Sequence, residues 1–254
     1  MLTEERRQRI LKFIDENGAA SVAELRSLMD VSPMTIRRDL IHLSSQGLVI
    51  RTHGGAVSPR ESTTSEFHYE VKTQIHVKEK QRIGLAAAKM VNDGETIILD
   101  SGSTTFQIAR NLKAKRNLMV VTNDLMIASH LSEANGISVI LIGGSMRHRM
   151  FSTVGPYAEE MLREFSVDKT FLSADAVHIG KGVLNTTPQE VPIKRLMIEA
   201  AQEVVLVVDH SKFDKLGLSF VCNISDVDKV LTDEGIRPEL STSLKEQGVT
   251  LETC

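Results

Sequence analysis

Residues 32–40 read Ser-Pro-Met-Thr-Ile-Arg-Arg-Asp-Leu, and residues 48–57 read Leu-Val-Ile-Arg-Thr-His-Gly-Gly-Ala-Val. Ser32 is a good N-cap and Pro33 suits the first helical position, so the first stretch predicts a helix that begins here. The second stretch alternates around a Gly-Gly pair, which is typical of a two-stranded wing. A helix followed by such a wing predicts a winged helix-turn-helix domain that binds DNA.

The side chains expected to contact DNA lie on the first turns of this helix and on the wing. Polar and long side chains there can reach base edges and phosphates. Asp39, acidic within the same stretch, is expected to orient arginine side chains or to stabilise the helix. The alternative is a small helical bundle whose Arg-Arg pair is solvated surface and whose wing histidine is a turn residue. The candidates are Ser32, Met34, Thr35, Arg37, Arg38, Arg51 and His53.

Two further helices are predicted upstream. Thr3 to Asn17 carries an apolar face and ends before Gly18, and the Ser21–Glu24 capping box predicts a second helix through Met29. The third helix runs from Pro33 to about Gln46. Its residues Ile36, Leu40 and Leu43 face inward.

The amino-acid composition indicates which class of protein this chain belongs to. Of 254 residues, 41% are hydrophobic and 25% are charged, as in a globular protein. No apolar run approaches the roughly 20 residues that span a bilayer, and the N-terminus lacks the apolar core of a signal peptide. Cys222 and Cys254 lie far apart, so we expect a reducing cytoplasm and no disulfide framework.

Charge is spread unevenly along the chain. Residues 1–60 hold nine Lys or Arg and seven Asp or Glu. The whole chain holds 30 Lys or Arg and 33 Asp or Glu, so the remainder holds 21 basic and 26 acidic residues. The first segment is therefore +2 and the remainder −5. Basic side chains must cluster on one face for such a segment to bind DNA.

The chain after residue 57 predicts a second domain. Residues 58–76 are expected to form a linker and a connecting helix, with a DNA-binding domain at 1–57 and an effector-sensing domain at 77–254. Short apolar strands beginning at Thr96, Leu118, Ile137, Lys169, Val204 and Lys229 alternate with helices. This α/β pattern predicts a doubly wound, mainly parallel sheet.

Polar residues follow most of the predicted strands. Ligands of such sheets bind at the carboxyl ends of the strands, so these residues are expected to converge. Hydroxyls, carboxylates, an amide and a lysine suit a phosphorylated polyol, although each group alone also fits helix capping or solvated surface. Arg147, His148 and His178 are left open between ligand contact and loop surface, with the loop slightly favoured for the first two. The set is Asp100, Gly102, Ser103, Thr104, Thr105, Thr122, Asn123, Asp124, Gly143, Gly144, Asp175 and Lys212.

The stretches Ser-Pro-Met-Thr-Ile-Arg-Arg-Asp-Leu, His-Gly-Gly-Ala, Asp-Ser-Gly-Ser-Thr-Thr, Thr-Asn-Asp and Ser-Lys-Phe, in this order, resemble the DeoR family of bacterial sugar-responsive repressors. The resemblance covers the whole chain. It implies a sensor domain similar in fold to ribose-5-phosphate isomerase and CoA transferases, with a sugar-phosphate effector. Glu190 and Lys194 match a Glu…Lys pair in the family pattern and are expected to line the pocket. Ala176 departs from the glycine that usually follows the family's aspartate.

Two functions remain at this point. The first is a repressor that binds double-stranded operator DNA as a homo-oligomer, a dimer or tetramer, under control of a phosphorylated sugar or sugar acid. The second is a sugar-phosphate isomerase on the same fold, with Asp175 or Glu190 as general base. The first is favoured because the second leaves the winged domain unexplained. No catalytic residue, metal ligand or cofactor is predicted.

Overall fold

The computed structural model describes residues 2–46, 48–52, 54–58 and 66–254. His53 and residues 59–65 of the predicted linker lie outside the described residues. The chain divides into two compact units, of which the first ends at Ile75 and the second begins at His76. No helix among the described residues is long and apolar enough to cross a membrane.

The first unit is a winged helix-turn-helix, as predicted. The structure adds a third strand to the two predicted strands of the wing, because β1 pairs with β3 in the order β1-β3-β2. The predicted connecting helix is reduced to one turn, α4. The elements are α1 (Thr3–Asn17), β1 (Ala19–Ser21), α2 (Val22–Met29), α3 (Pro33–Ser45), β2 (Ile50–Arg51), β3 (Gly55–Val57) and α4 (Tyr69–Lys72).

Both predicted helix caps are confirmed. The Ser21 hydroxyl accepts a hydrogen bond from the Glu24 backbone N–H at 3.1 Å, and the Glu24 carboxylate accepts one from the Ser21 N–H at 2.8 Å. The Ser32 hydroxyl accepts from the Thr35 N–H at 3.2 Å. Each cap fixes where a helix starts and is worth about 1 kcal/mol. The core beneath these helices contains Ile10, Ile14, Leu25, Ile36 and Leu40.

Gly55 is required by the close approach of β1 and β3. A Cβ atom at this position would lie 2.0 Å from the Ala20 carbonyl oxygen, well inside van der Waals contact. The Gly-Gly pair that marks the wing in the sequence therefore also makes room for the unpredicted third strand.

The second unit contains a seven-stranded parallel sheet in the order β15-β14-β12-β9-β4-β5-β6. The elements are α5 (Val77–Lys89), β4 (Thr96–Leu99), α6 (Ser103–Arg110), β5 (Leu118–Thr122), α7 (Leu125–Leu131), β6 (Ile137–Leu141), β7 (Ser145–Met146), β8 (Thr153–Val154), α8 (Pro156–Arg163), β9 (Val167–Leu172), β10 (Ala176–His178), β11 (Gly182–Asn185), α9 (Val191–Glu199), β12 (Ala201–Val207), β13 (Ser219–Cys222), β14 (Lys229–Thr232), α10 (Pro238–Glu246) and β15 (Thr250–Thr253).

Helices cover both faces of this sheet, which confirms the doubly wound architecture. Ile97 and Leu99 pack into the cluster that includes residues of α5, α6 and α7. Ile98, the residue between them, packs into the cluster that includes α8 and α9. Because successive side chains of a strand point to opposite faces, one short strand contributes to two cores.

The sequence did not predict the two small antiparallel sheets or the last strand. β10, β11 and β13 form one sheet, and β7 pairs with β8. These strands have only two to four residues, too few for a periodicity to show. β15 is an edge strand with no buried residue, so its Thr-Leu-Glu-Thr sequence lacks the apolar run that marks the others.

Candidate functional site

A buried ion pair lies at the carboxyl edge of the sheet. Asp100 follows β4 and Lys194 projects from α9, and they are 1% and 2% exposed. The Lys194 Nζ donates to Asp100 Oδ2 at 2.5 Å and to the Ser173 carbonyl at 3.1 Å. Asp100 Oδ2 also accepts from the backbone N–H and the hydroxyl of Ser173, at 2.8 and 2.9 Å. The ends of β4 and β9 are thereby tied to α9.

Lys194 is held in its charged form. Burial opposes the charge, but the nearby carboxylates of Asp100, Glu190 and Asp175 outweigh it and raise the pKa of the ammonium. Lys194, which the family resemblance implied as a pocket residue together with Glu190, is therefore a cation that lies close to three carboxylates.

The end of β5 joins the same edge. Asn123 Oδ1 accepts from the Ser101 N–H at 3.1 Å, and Asp124 Oδ2 accepts from the Ser101 hydroxyl at 2.9 Å. Asp124 Oδ1 also caps α7 by accepting from Met126 and Ile127 N–H at 2.8 and 3.0 Å. The Asp124 carboxylate therefore caps α7 and also links the end of β5 to Ser101, at the end of β4.

Burial raises the pKa of Asp124 to about 6 from the usual 3.8, although the Ile127 N–H, the Ser101 hydroxyl and other donors act against it. Between these two values the folded protein holds a proton that the unfolded chain has lost. The contribution of Asp124 to stability is therefore greatest at low pH and is lost as the pH rises through this window, by up to about 3 kcal/mol.

Asp124→Asn, which cannot ionise, should remove this pH dependence. The difference in the free energy of unfolding, parent minus variant, is expected to fall across the window from pH 3.8 to about 6 and to be flat above it. Urea denaturation at a series of pH values measures it. Carbon NMR of the Asp124 carboxyl should show a midpoint near the upper value, and a midpoint near that of an exposed aspartate would contradict the assignment.

Glu190 is the centre of a second group at this edge, and it contacts three residues that the sequence did not assign to the site. It accepts from Arg147 Nη1 at 2.5 Å, from Asn185 Nδ2 at 2.7 Å and from the Ser152 hydroxyl at 3.2 Å. Arg147, favoured above as loop surface, is half-buried here, whereas its neighbour His148 is exposed. Arg147 follows the short strand β7, which has no readable sequence signal.

Asp175 is positioned by the loop that precedes α9. Its carboxylate accepts from the Thr186 N–H at 3.0 Å and from the Thr186 hydroxyl at 2.7 Å. Ala176, the departure from the family pattern, begins β10 and is buried. His178 Nδ1 accepts from the Gly180 N–H at 3.1 Å within the following turn.

The remaining candidates lie around this edge with different surroundings. The N-cap of α6 is Gly102, which has no capping side chain, and its backbone N–H acts on the Asp124 carboxylate; Ser103, Thr104 and Thr105 are buried there. The Thr122 hydroxyl donates to the Leu99 carbonyl at 2.7 Å, while Gly143 and Gly144 are exposed. Lys212 follows β12, two strands away from β4, and its positive charge acts to lower the pKa of Asp209.

The predicted recognition face of α3 is exposed to solvent. Met34 is 60% exposed, and Arg37, Arg38 and the wing residue Arg51 are also exposed. Thr35 is half-buried, and its hydroxyl lies 2.9 Å from that of Ser32 within the cap. Ser32 and Thr35 thus have a structural task at the helix start besides any contact with DNA.

Asp39 lies on the opposite, buried side of α3. It is 2% exposed and accepts from Arg6 Nε at 2.6 Å and from Arg7 Nε at 3.0 Å. The arginines that it contacts belong to α1, so Asp39 joins α3 to α1 from the side of the helix that faces away from solvent. The helical period explains this, because Asp39 is three residues from Ile36 and four from Leu43.

Comparison with known proteins agrees with both units. The DeoR-like helix-turn-helix domain matches residues 6–62, and the DeoR C-terminal sensor domain matches residues 75–234. A ribose 5-phosphate isomerase A from Neisseria gonorrhoeae is 17% identical, with a TM-score of 0.39 over 53% of this chain and 52% of that chain.

Full-length relatives share about a third of their residues with this chain. YgbI, a helix-turn-helix regulator of Escherichia coli K12 named as uncharacterized, is 37% identical over 99% of this chain and 98% of its own. The glycerol-3-phosphate regulon repressor of the same organism is 34% identical, covering 98% of each chain. AccR, a transcriptional repressor of Agrobacterium fabrum, is 34% identical over 94% of this chain and 93% of its own. The chain therefore belongs to the DeoR family of transcriptional regulators.

Proposed function

We propose that this protein represses a carbohydrate-utilisation operon and that a phosphorylated sugar or sugar acid controls its affinity for the operator. The observation that carries the proposal is the exposed face of α3, with Met34, Arg37 and Arg38, in one chain with a unit whose sheet edge gathers polar groups. Effector binding in the second unit shifts operator affinity by a coupling free energy of about 1–3 kcal/mol.

Arg37→Ala tests base reading in the major groove. A guanidinium that pairs with a guanine contributes about 1–3 kcal/mol of discrimination, so operator affinity should fall about 5- to 150-fold. Affinity for random DNA should fall much less. The measurement is fluorescence anisotropy with both duplexes at one salt concentration. Equal losses on the two duplexes would show that Arg37 contacts only phosphate, and Lys12→Ala, exposed on α1, is the matched control.

The effector is proposed to bind at the carboxyl edge of the sheet. The N-terminus of α6, whose N-cap glycine has no side chain, offers backbone N–H groups to a phosphate, and Lys212 supplies a charge. The carboxylates of Asp175 and Asp100, with the amide of Asn123, are of the kind that binds hydroxyl groups. A relative of this chain is named for glycerol 3-phosphate, which combines a phosphate with hydroxyls in the same way.

Lys212→Ala should leave operator binding intact and weaken the response to effector. Loss of one charge-assisted hydrogen bond, about 1.5–3 kcal/mol, lowers effector affinity about 10- to 150-fold. A thermal-shift screen of sugar phosphates identifies the effector, and operator affinity with and without it gives the response. Lys181→Ala, exposed between β10 and β11, is the control. An undiminished response in Lys212→Ala would place the phosphate elsewhere.

The regulator is favoured over a sugar-phosphate isomerase by the state of Glu190. Its carboxylate already accepts from Arg147, Asn185 and Ser152, so a proton transfer to it competes with three donors. Incubation with pentose and hexose phosphates should give binding without turnover, whereas conversion of aldose to ketose would establish the enzyme.

We further propose a cytoplasmic homo-oligomer. One winged domain with a net charge of +2 makes few phosphate contacts, so two or more copies on paired half-sites are needed for tight binding. Light scattering at operator-binding concentrations distinguishes a dimer or tetramer from a monomer.

A further inference from the structure

We propose that a divalent transition-metal ion of the zinc class binds between His76, Asp209 and His210 in the second unit. One ligand atom from each of the three side chains lies within 4.8 Å of the other two. Two imidazoles and one carboxylate are ligands that zinc accepts, and three protein ligands leave a fourth position open. Coordinated atoms of a tetrahedral site are about 3.4 Å apart, so small side-chain movements close the site.

His210 is oriented as metal-bound histidines are. Its ring Nδ1 lies 2.7 Å from Asp233 Oδ2, while its backbone N–H donates to Asp233 Oδ1 at 2.7 Å. Asp233 is 1% exposed and also accepts from the Gly235 N–H at 3.0 Å. A carboxylate on Nδ1 fixes the proton there and leaves the Nε2 lone pair for a cation. A Cβ at Gly235 would lie 2.6 Å from this ring, so glycine is needed beside it.

Asp209 gives a second, independent observation that points to a bound cation. It is fully buried, and Ser211 donates to its Oδ1 through both N–H and hydroxyl. Its Oδ2 is buried with no hydrogen-bond partner among the described residues. An unpaired carboxylate oxygen inside a protein is unfavourable by itself, and a cation between this oxygen and the two imidazoles would satisfy it.

The charges around Asp209 keep it ionised. Burial acts to raise its pKa, but Lys212, Lys80, the Ser211 hydroxyl and His76 outweigh burial and lower it. Both lysines thus act on the charge of Asp209. A bound cation must therefore compete with the lysines, which favours zinc-class ions with strong imidazole bonds over Mg²⁺ or Ca²⁺.

His76 is held in a backbone conformation that few residues with side chains adopt. Its φ is 50°, immediately before α5, and its ring meets the His210 ring edge-on with centroids 5.2 Å apart. Positive φ is uncommon outside glycine and concentrates at functional sites. This conformation presents the imidazole to Asp209 and His210.

Cobalt(II) is the probe, because its visible spectrum reports ligands and coordination number. The full-length protein, stripped with chelator, is titrated with Co²⁺, and Zn²⁺ is then added to displace it. We expect one ion per chain, a spectrum of a four- or five-coordinate site, and displacement by Zn²⁺. His76→Ala, His210→Ala and Asp209→Asn should each weaken binding more than 10-fold, and Asp233→Asn about 10- to 100-fold.

His148→Ala is the matched control, because His148 is exposed and outside the cluster. Circular dichroism checks that each variant is folded, and His76→Gln replaces His76→Ala if the latter is not. Binding that is unchanged in the three ligand variants, a six-coordinate spectrum typical of surface binding, or no saturation would each overturn the proposal. Because no effector or DNA is present, these results do not depend on the proposed repressor function.

Discussion

Replacing Asp39 with alanine is expected to unfold the DNA-binding unit. The substitution leaves Arg6, which is 9% exposed, and Arg7 without the carboxylate that joins α3 to α1. Removing one partner of a buried ion pair costs about 3–5 kcal/mol. Hydrogen exchange of amides in α1 and α3 should accelerate and operator binding should be lost, while exchange in the second unit stays unchanged.

Two variants separate this effect from a general loss of charge. Asp39→Asn keeps one acceptor oxygen and should give an intermediate loss. Glu5→Ala removes an ion pair with Arg9 on the same helix α1, but both side chains are about half exposed or more, so the change should stay within about 0.5 kcal/mol. Similar exchange rates in Asp39→Ala and Glu5→Ala would refute a structural role for the Asp39 pair.

Lys194→Met is expected to destabilise the second unit by a similar amount, about 3–5 kcal/mol at neutral pH. It leaves Asp100 buried without its ammonium partner and removes the cation near Glu190 and Asp175. Urea denaturation followed by circular dichroism measures the loss. The Lys194→Met/Asp100→Asn double variant removes both charges and should regain much of the stability, since position 100 then carries no unpaired buried charge.

The pH dependence of Lys194→Met gives a second check. Burial already raises the pKa of Asp100 in the parent despite Lys194, and without the ammonium the pKa should rise further. The folded variant then takes up a proton at a higher pH than the unfolded chain does. The difference in the free energy of unfolding between parent and variant should therefore shrink as the pH is lowered from neutral. A difference that stays constant would mean that the charge of Asp100 does not cause the destabilisation.

Much of the fold could be predicted because its signals are local. The Ser21 and Ser32 caps mark helix starts, and the buried parallel strands from Thr96 and Leu118 are continuous apolar runs. Strands β7, β8 and β15 were missed because only pairing with a neighbouring strand defines them, and pairing has no signature in two to four residues. The connecting helix predicted within residues 58–76 is only the turn α4, because a helical pattern in the sequence does not reveal where tertiary contacts end a helix.

Less of the candidate site could be predicted, for a related reason. The strand-end rule placed Asp100, Asn123 and Asp124 at the edge, where the structure joins them through Ser101. Arg147 reaches Glu190 from a loop, and no sequence spacing encodes that contact. The orphaned oxygen of Asp209 is likewise visible only when all neighbours are placed.

Helix α3 keeps the residues that hold it in place apart from those that face solvent. Ile36, Asp39 and Leu43 are buried, whereas Met34 and Arg37 are exposed. If the outer face reads the operator as proposed, duplicated genes can acquire new target sequences through a few changes there while inheriting the inner face intact. Transplanting only the outer side chains from a relative is then expected to retarget the protein without repacking its interior.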